Sequence, residues 1–488
     1  MSALRVYGPM LGGAMHAGYR ARSQSGRRVS GTPRSIAVHT ASELVDWLKE
    51  NGAKVDAVEV KTLDIPSAGR PLDVVVASRP LAAGEVAVSI PEHLCVTLDR
   101  IFESEFVAEL LTTDKLSELA CLALYLMYEK KLKKKSFWYP YIKELDKQQA
   151  RGPQAVESPL LWGDQELDSL LQGSPVLPAV RQRQAGIRKE YEALDTVWFM
   201  AGSLFNKYPF DLPTETFSFE LFQQAFAAVQ ASIVHLQGVP IAKRFALVPL
   251  GPPLMAYSST SKNMITYDED NRAVRLVVSG PVEAGRPVAA WCGPQPNNRL
   301  LLNYGIVDEH NPFDKLQFTF TLPTSDPLFT AKRAVLTEAG LATQQNFDVS
   351  ASRPLPPQLL PYMMLALATT PEQVTSVSFG ENAAPGHDRE LEAAALAALM
   401  SYVQRRTAAY AHPLWRDLEI INDPSSSPRQ KVAARLTKIE KSILVAAAEA
   451  LAVRGAPTDA AELEAAQARL RDAGVRMGSL FDGQGHCG

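Results

Sequence analysis

The spacing of apolar residues changes period several times along the chain. ASELVDWLKENGA (41–53) has the 3.6-residue rhythm of a short amphipathic helix, with Val45, Trp47 and Leu48 on one face and Ser42 as a candidate cap. The period then falls to two in AVEVKTL, DVVVAS and EVAVSI, which predict short strands punctuated by Pro and Gly and closed by Ile90 and Pro91. From about residue 99 to 235 helical spacing returns. DKLSELACLALYLMYEKK is apolar almost all round and predicts a buried helix, and SFELFQQAFAAVQASIVHL predicts a second long one carrying His235 as a core histidine.

Strand signals resume between 244 and 320. FALVPL and RLVVSG are short β runs, TYDEDNRAV reads as a hairpin turning at Asn271, and LQFTFTL alternates. RPLAAGEVAVSI (79–90) and GPVEAGRPVAAW (280–291) echo each other as an Ala-Gly turn feeding a strand. After Pro323 the pattern predicts helices to the end, including one striped by Val432, Leu436, Ile439 and Ile443. SFGENAAPGHD (378–388) reads as a loop, and the Ala- and then Gly-rich residues 456–488 as a flexible tail.

This order implies an α+β chain: a β core interrupted by helices, then a helical domain. At 488 residues the chain exceeds what one core usually organises. A net charge of −3 exerts no global pull on DNA or anionic membrane, so contact with DNA is expected to be local or carried by a partner, and the resemblance below favours the partner. No stretch approaches the roughly 20 apolar residues of a membrane span. Cys95, Cys121, Cys292 and Cys487 form no CxxC pair, which predicts free thiols in a reducing compartment and no metal site. Lys130, Lys131, Lys133, Lys134 and Lys135 read as a solvated helix end, with a nucleic-acid patch as the alternative. Residues 1–42 hold no Asp or Glu but six arginines, the composition of an organelle transit peptide over about residues 1–40.

RFALVPLGPPLMAYSS, followed by WCGPQPNNRLLLNYGIVDEHNPFD, resembles the second half of a SET domain of the RuBisCO large-subunit lysine methyltransferase family. Asn298, Leu301, Tyr304, Gly305 and Asn311 fall at that family's spacing. The resemblance implies a SET-domain β core over 41–325 with a helical insert at about 100–238, and an all-α RuBisCO-methyltransferase-type substrate-binding domain over 326–455. It also implies S-adenosyl-L-methionine as the methyl donor. Together with LDTVWFMAGSLFNKYPFDLPTETFSFE, these segments are most similar to a branch of the family that accompanies the plastid-encoded RNA polymerase. That likeness implies the chloroplast, its stroma and nucleoid, and the polymerase with its associated proteins as partners.

The implied site is uneven. Tyr304 matches the family tyrosine that helps orient transfer to a deprotonated lysine, although the alternative of a strand-end aromatic stands beside it. On the donor side, Ala256-Tyr257 stands where the family has Asn-His. Gly69-Arg70-Pro71 stands where it has Gly-x-Gly, Ala231-Ser232 where it has Ser-Arg, and Cys292 where it has an earlier tyrosine. Alanine offers the donor no hydrogen bond, and Pro71 removes a backbone N–H. Each lost bond to a charged group is worth roughly 1.5–3 kcal/mol, so weak donor binding is expected. Two functions follow: a SET-fold scaffold of the plastid transcription complex, or an active protein-lysine N-methyltransferase of the stroma. A serine hydrolase finds no G-x-S-x-G elbow.

Overall fold

A computed structural model describes residues 40–65, 70–103, 116–149, 158–204, 218–252, 254–379 and 388–472. The expected transit segment, Gly69, most of the 378–388 loop and the last part of the tail lie outside them. Strands β1 (Val58–Ile65) and β2 (Arg70–Ala77) form an antiparallel pair from Val58↔Ala77 to Ile65↔Arg70. β3 (Val86–Pro91), β7 (Met264–Asp268) and β8 (Ala273–Val277) form a second sheet with β8 in the middle. β4 (Ile233–His235) pairs antiparallel with β5 (Phe245–Leu247). β6 (Ala256–Ser258) runs parallel to β9 (Ala289–Trp291). The sheets are therefore small and largely antiparallel, and backbone bonds join them: Val75 N–H donates to Leu254 O, and Val288 N–H to Val75 O.

The two echoing segments meet. Leu81 and Val282 exchange both backbone hydrogen bonds, at 2.8 and 3.0 Å. The hairpin read at Asn271 is present, and its turn bonds back to Asp268. Between the β blocks lie helices Glu118–Leu132, Tyr139–Gln149, Val176–Leu204 and Phe219–Ser232. The first is buried on all sides, as its unbroken apolar run requires, and Ser117 caps it by accepting from Ala120 N–H.

Several local readings need correction. The first helix spans Thr40–Glu50, so Ser42 lies inside it, and the spacing of four that reaches the core belongs to Leu44 and Leu48. The SFELFQQAFAAVQASIVHL run ends its helix at Ser232; β-branched Ile233 and Val234 turn it into β4, leaving His235 exposed against the Phe245 ring rather than buried in a helix. The chain is not wholly helical after Pro323, because β11 (Gln344–Val349) pairs with β10 (Leu316–Thr321). Nor is the tail loose from residue 456: Ala460–Asp472 is a helix whose Leu463 is buried and whose Gln467 donates to Ser401.

Two hydrophobic cores result. The first gathers the SET strands and inserted helices; the second begins at Leu316 and collects Phe318, Phe320, Tyr362, Leu399 and their neighbours. The long helix Pro428–Val453 joins them. Its Val432 and Leu436 pack in the first core, and its Ile443, Leu444 and Leu451 in the second. One stripe in the sequence thus serves two cores. Lys332, fully buried, is held by Asp326 at 2.6 Å and the Ala366 carbonyl at 2.9 Å.

Candidate functional site

The approach to the site is a tight turn. Leu250 adopts φ 64°, Gly251 N–H bonds to Val248 O, and a Cβ at Gly251 would lie 2.7 Å from that carbonyl, so glycine is required there. The turn delivers Ala256 and Tyr257 onto β6, beside β9, which leads to Cys292. Gln295 donates to the Cys292 carbonyl at 2.8 Å and pins the turn into helix Asn297–Tyr304. Gly305, at φ 69°, closes that helix by donating to Leu301 O. Tyr304 is therefore the last residue of a helix, not a strand-end aromatic.

The helix is anchored at its start. Asn297 is buried; it donates to the Asp308 carbonyl (3.0 Å) and to Asp314 (2.7 Å), and accepts from Asp308 N–H (2.9 Å). Asn311 donates to Gln295 O at 2.7 Å. Both asparagines tie the chain after the helix back to the turn before it, which fixes Tyr304 in position.

The structure brings Tyr257, Cys292 and Tyr304 together, with Ala256 preceding Tyr257 on β6. The Tyr257 and Tyr304 rings lie 4.5 Å apart at 45°, and the Tyr257 hydroxyl donates to Ile233 O at 3.2 Å. Burial pushes the Tyr257 phenol well above its ordinary value, with Tyr304 and Cys292 adding to the effect. Burial also raises Tyr304, and hydrogen bonds with Gln295 and Tyr257 pull it part of the way back. The Cys292 thiol is raised by burial as well. All three stay protonated at neutral pH, so Tyr304 can orient and hydrogen-bond a group but does not act as a base. Arg70 opens β2 opposite Ile65. Gln295 and the Ile233 carbonyl were not foreseen; a glutamine between two prolines carries no signal beyond that of a polar turn.

S-adenosylmethionine, the donor implied by the fold, carries an ammonium and a carboxylate that need polar or charged partners. The neighbours that perturb the two phenols are one another, Cys292 and Gln295, all uncharged at neutral pH. Asp308, whose charge reaches Cys292, is already bound by the Ser259 hydroxyl and His310 N–H. Among the described residues the Ser232 hydroxyl and the Asn298 side-chain oxygen are buried without a partner, but neither is ionised. The Tyr257 ring lies directly against Tyr304. Among the described residues, the groups that act on the two phenols are uncharged and offer no ionic partner to the donor's ammonium or carboxylate. No group of His, Cys, Asp and Glu among the described residues is placed to hold a metal ion, and none of their helices is long and apolar enough to cross a membrane.

Residues 323–444 match the family described as Rubisco LSMT substrate-binding. Solved structures resemble most of the chain. Rubisco LSMT bound to sinefungin and monomethyllysine gives a TM-score of 0.66 at 20% identity, over 90% of this chain and 97% of that one. Rubisco LSMT bound to AdoMet gives 0.64 at 21%, over 89% and 96%. The fold is therefore the SET fold of the Rubisco LSMT type, an α+β core followed by a Rubisco LSMT-type substrate-binding domain. Among curated relatives, the actin-histidine N-methyltransferase of Xenopus tropicalis is 22% identical over 424 residues, 82% of this chain and 68% of the relative. Those relatives are protein methyltransferases.

Proposed function

We propose that this chain is a SET-fold accessory of the plastid-encoded RNA polymerase, in the chloroplast stroma and nucleoid, with donor binding too weak to sustain methyl transfer. The observation that carries the reading is the placement of Tyr257. Its ring packs on Tyr304 and its hydroxyl donates to the Ile233 carbonyl, where the family pattern has a polar pair facing the donor. The link to the polymerase rests on the resemblance of VWFMAGSLFNKYPFDLP, LVPLGPPLMAYSS and WCGPQPNNRLLLNYG to plastid-transcriptionally-active chromosome protein fourteen. A fold kept without its ligand contacts is kept for its surfaces. Plastids lacking the chain should lose polymerase-dependent transcripts, and a Tyr304→Phe chain should restore them fully. Failure of that variant to restore them, with the chain present at normal level, would refute the accessory role.

A second reading, a protein N-methyltransferase acting on lysine, is favoured by a different observation. Tyr304 is retained and rigidly mounted, and the uncommitted Ser232 and Asn298 oxygens can bond a polar ligand.

A further inference from the structure

We propose that the turn Lys133–Phe137 is a contact surface for single-stranded nucleic acid. This goes beyond the accessory reading and stands without it. Helix Glu118–Leu132 ends in a single 3-10 turn, Lys133–Lys135, whose three side chains are exposed. The neighbouring lysines are neutralised: Lys130 pairs with Asp146 at 2.8 Å and Lys143 with Glu43 at 2.7 Å. Lys133, Lys134 and Lys135 have no ion-pair partner among the described residues. Lys133 adopts φ 51° and ψ −129°, a backbone region costly for any residue but glycine.

The next side chain outward is aromatic. Phe137 is 44% exposed, yet its ring is not free to swing. It meets Trp47 and Trp138 edge-on at 5.3 and 5.2 Å, and Trp138 is itself anchored by its indole N–H to the Leu94 carbonyl. Three ammonium groups without an ion-pair partner among the described residues thus adjoin, along the chain, a partly exposed aromatic ring held by two tryptophans. Lysines meet phosphates as point charges with little sequence preference, and an aromatic face stacks any unpaired base. A duplex satisfies the lysines but keeps its bases from the ring, and an acidic peptide uses only the charge.

The test is fluorescence anisotropy of the full chain with labelled oligothymidylate, oligouridylate, a duplex of equal length and a polyglutamate peptide, across a salt series. Both single strands should bind more tightly than the duplex, and the better of the two identifies DNA or RNA as the source. The Lys133→Ala, Lys134→Ala, Lys135→Ala triple variant should keep its melting temperature and reduce the log–log salt slope by about 2, given roughly 0.7 per phosphate contact on a single strand. Phe137→Leu should weaken single-strand binding about fivefold or more while leaving the duplex unchanged. Equal binding of duplex and single strand, preference for polyglutamate, or no saturable binding by any probe would each overturn the proposal.

Discussion

Tyr257 lies with its ring 4.5 Å from that of Tyr304, and its hydroxyl donates to the Ile233 carbonyl. The residue standing where the resemblance implies a polar donor contact therefore packs on the tyrosine to which the resemblance assigns the orienting role. Restoring the family pair should uncover it. The double variant Ala256→Asn, Tyr257→His is expected to bind S-adenosylmethionine at least about tenfold more tightly than the parent chain, since each recovered bond to a charged group is worth roughly 1.5–3 kcal/mol. Isothermal titration of both proteins side by side measures the difference.

Asn297 should matter to stability. Removing its side chain leaves the Asp308 N–H and carbonyl and the Asp314 carboxylate short of partners in a buried region. Burial already raises the Asp314 pKa, with bonds from Asn297 opposing that rise. Asn297→Ala is expected to cost about 3 kcal/mol, the sum expected for leaving buried polar groups unpaired, as read from urea denaturation.

Glu440 sits between the two cores, fully buried, accepting from Ser174 and Tyr410 at 3.0 Å each. Burial pushes its pKa up to about 8, against which the two hydroxyls act. The folded state therefore holds a proton that the unfolded chain releases near pH 4.5. Stability contributed here is present below that value and declines as pH rises toward 8. Glu440→Gln should flatten this decline, making the variant more stable than the parent at pH 8.5 but no more stable at pH 4.5. Thermal melts at the two pH values check it.

Glu92 has the opposite sign. Burial alone would raise its carboxyl, but hydrogen bonds from Lys243, Tyr267 and Arg272 outweigh it and hold the pKa at about 2. Its stabilising effect is present above the ordinary carboxylate range and is lost as pH falls from about 4.5 toward 2. Glu92→Gln should therefore destabilise the chain at pH 7 and bring the two proteins closer together at pH 3, as followed by circular dichroism.

How much of this was legible in the sequence depended on where the determining contacts lie. The strands at 58–91 and the hairpin at 264–277 were readable because alternation and turn residues are local. The pairing of Leu81 with Val282 was visible only as an echo, since the sequence does not say that two similar segments touch. β11 was missed because QQNFDV buries few residues and takes its strand form from β10. Ile233 and Val234 were read as helix because the apolar run continues past Ser232. Ala256, Tyr257, Cys292 and Tyr304 are singled out by resemblance alone. That Tyr257 covers Tyr304 is a matter of packing, and no spacing rule predicts it.

The reading of this chain as a protein that keeps the SET fold without methyl transfer is tested by titrating the full chain with S-adenosylmethionine calorimetrically, alongside a transfer assay on stromal proteins. The expected result is no saturable binding in the low-micromolar range and no methyl transfer by the parent chain. Low-micromolar binding accompanied by transfer that Tyr304→Phe abolishes would contradict it and establish the chain as a methyltransferase.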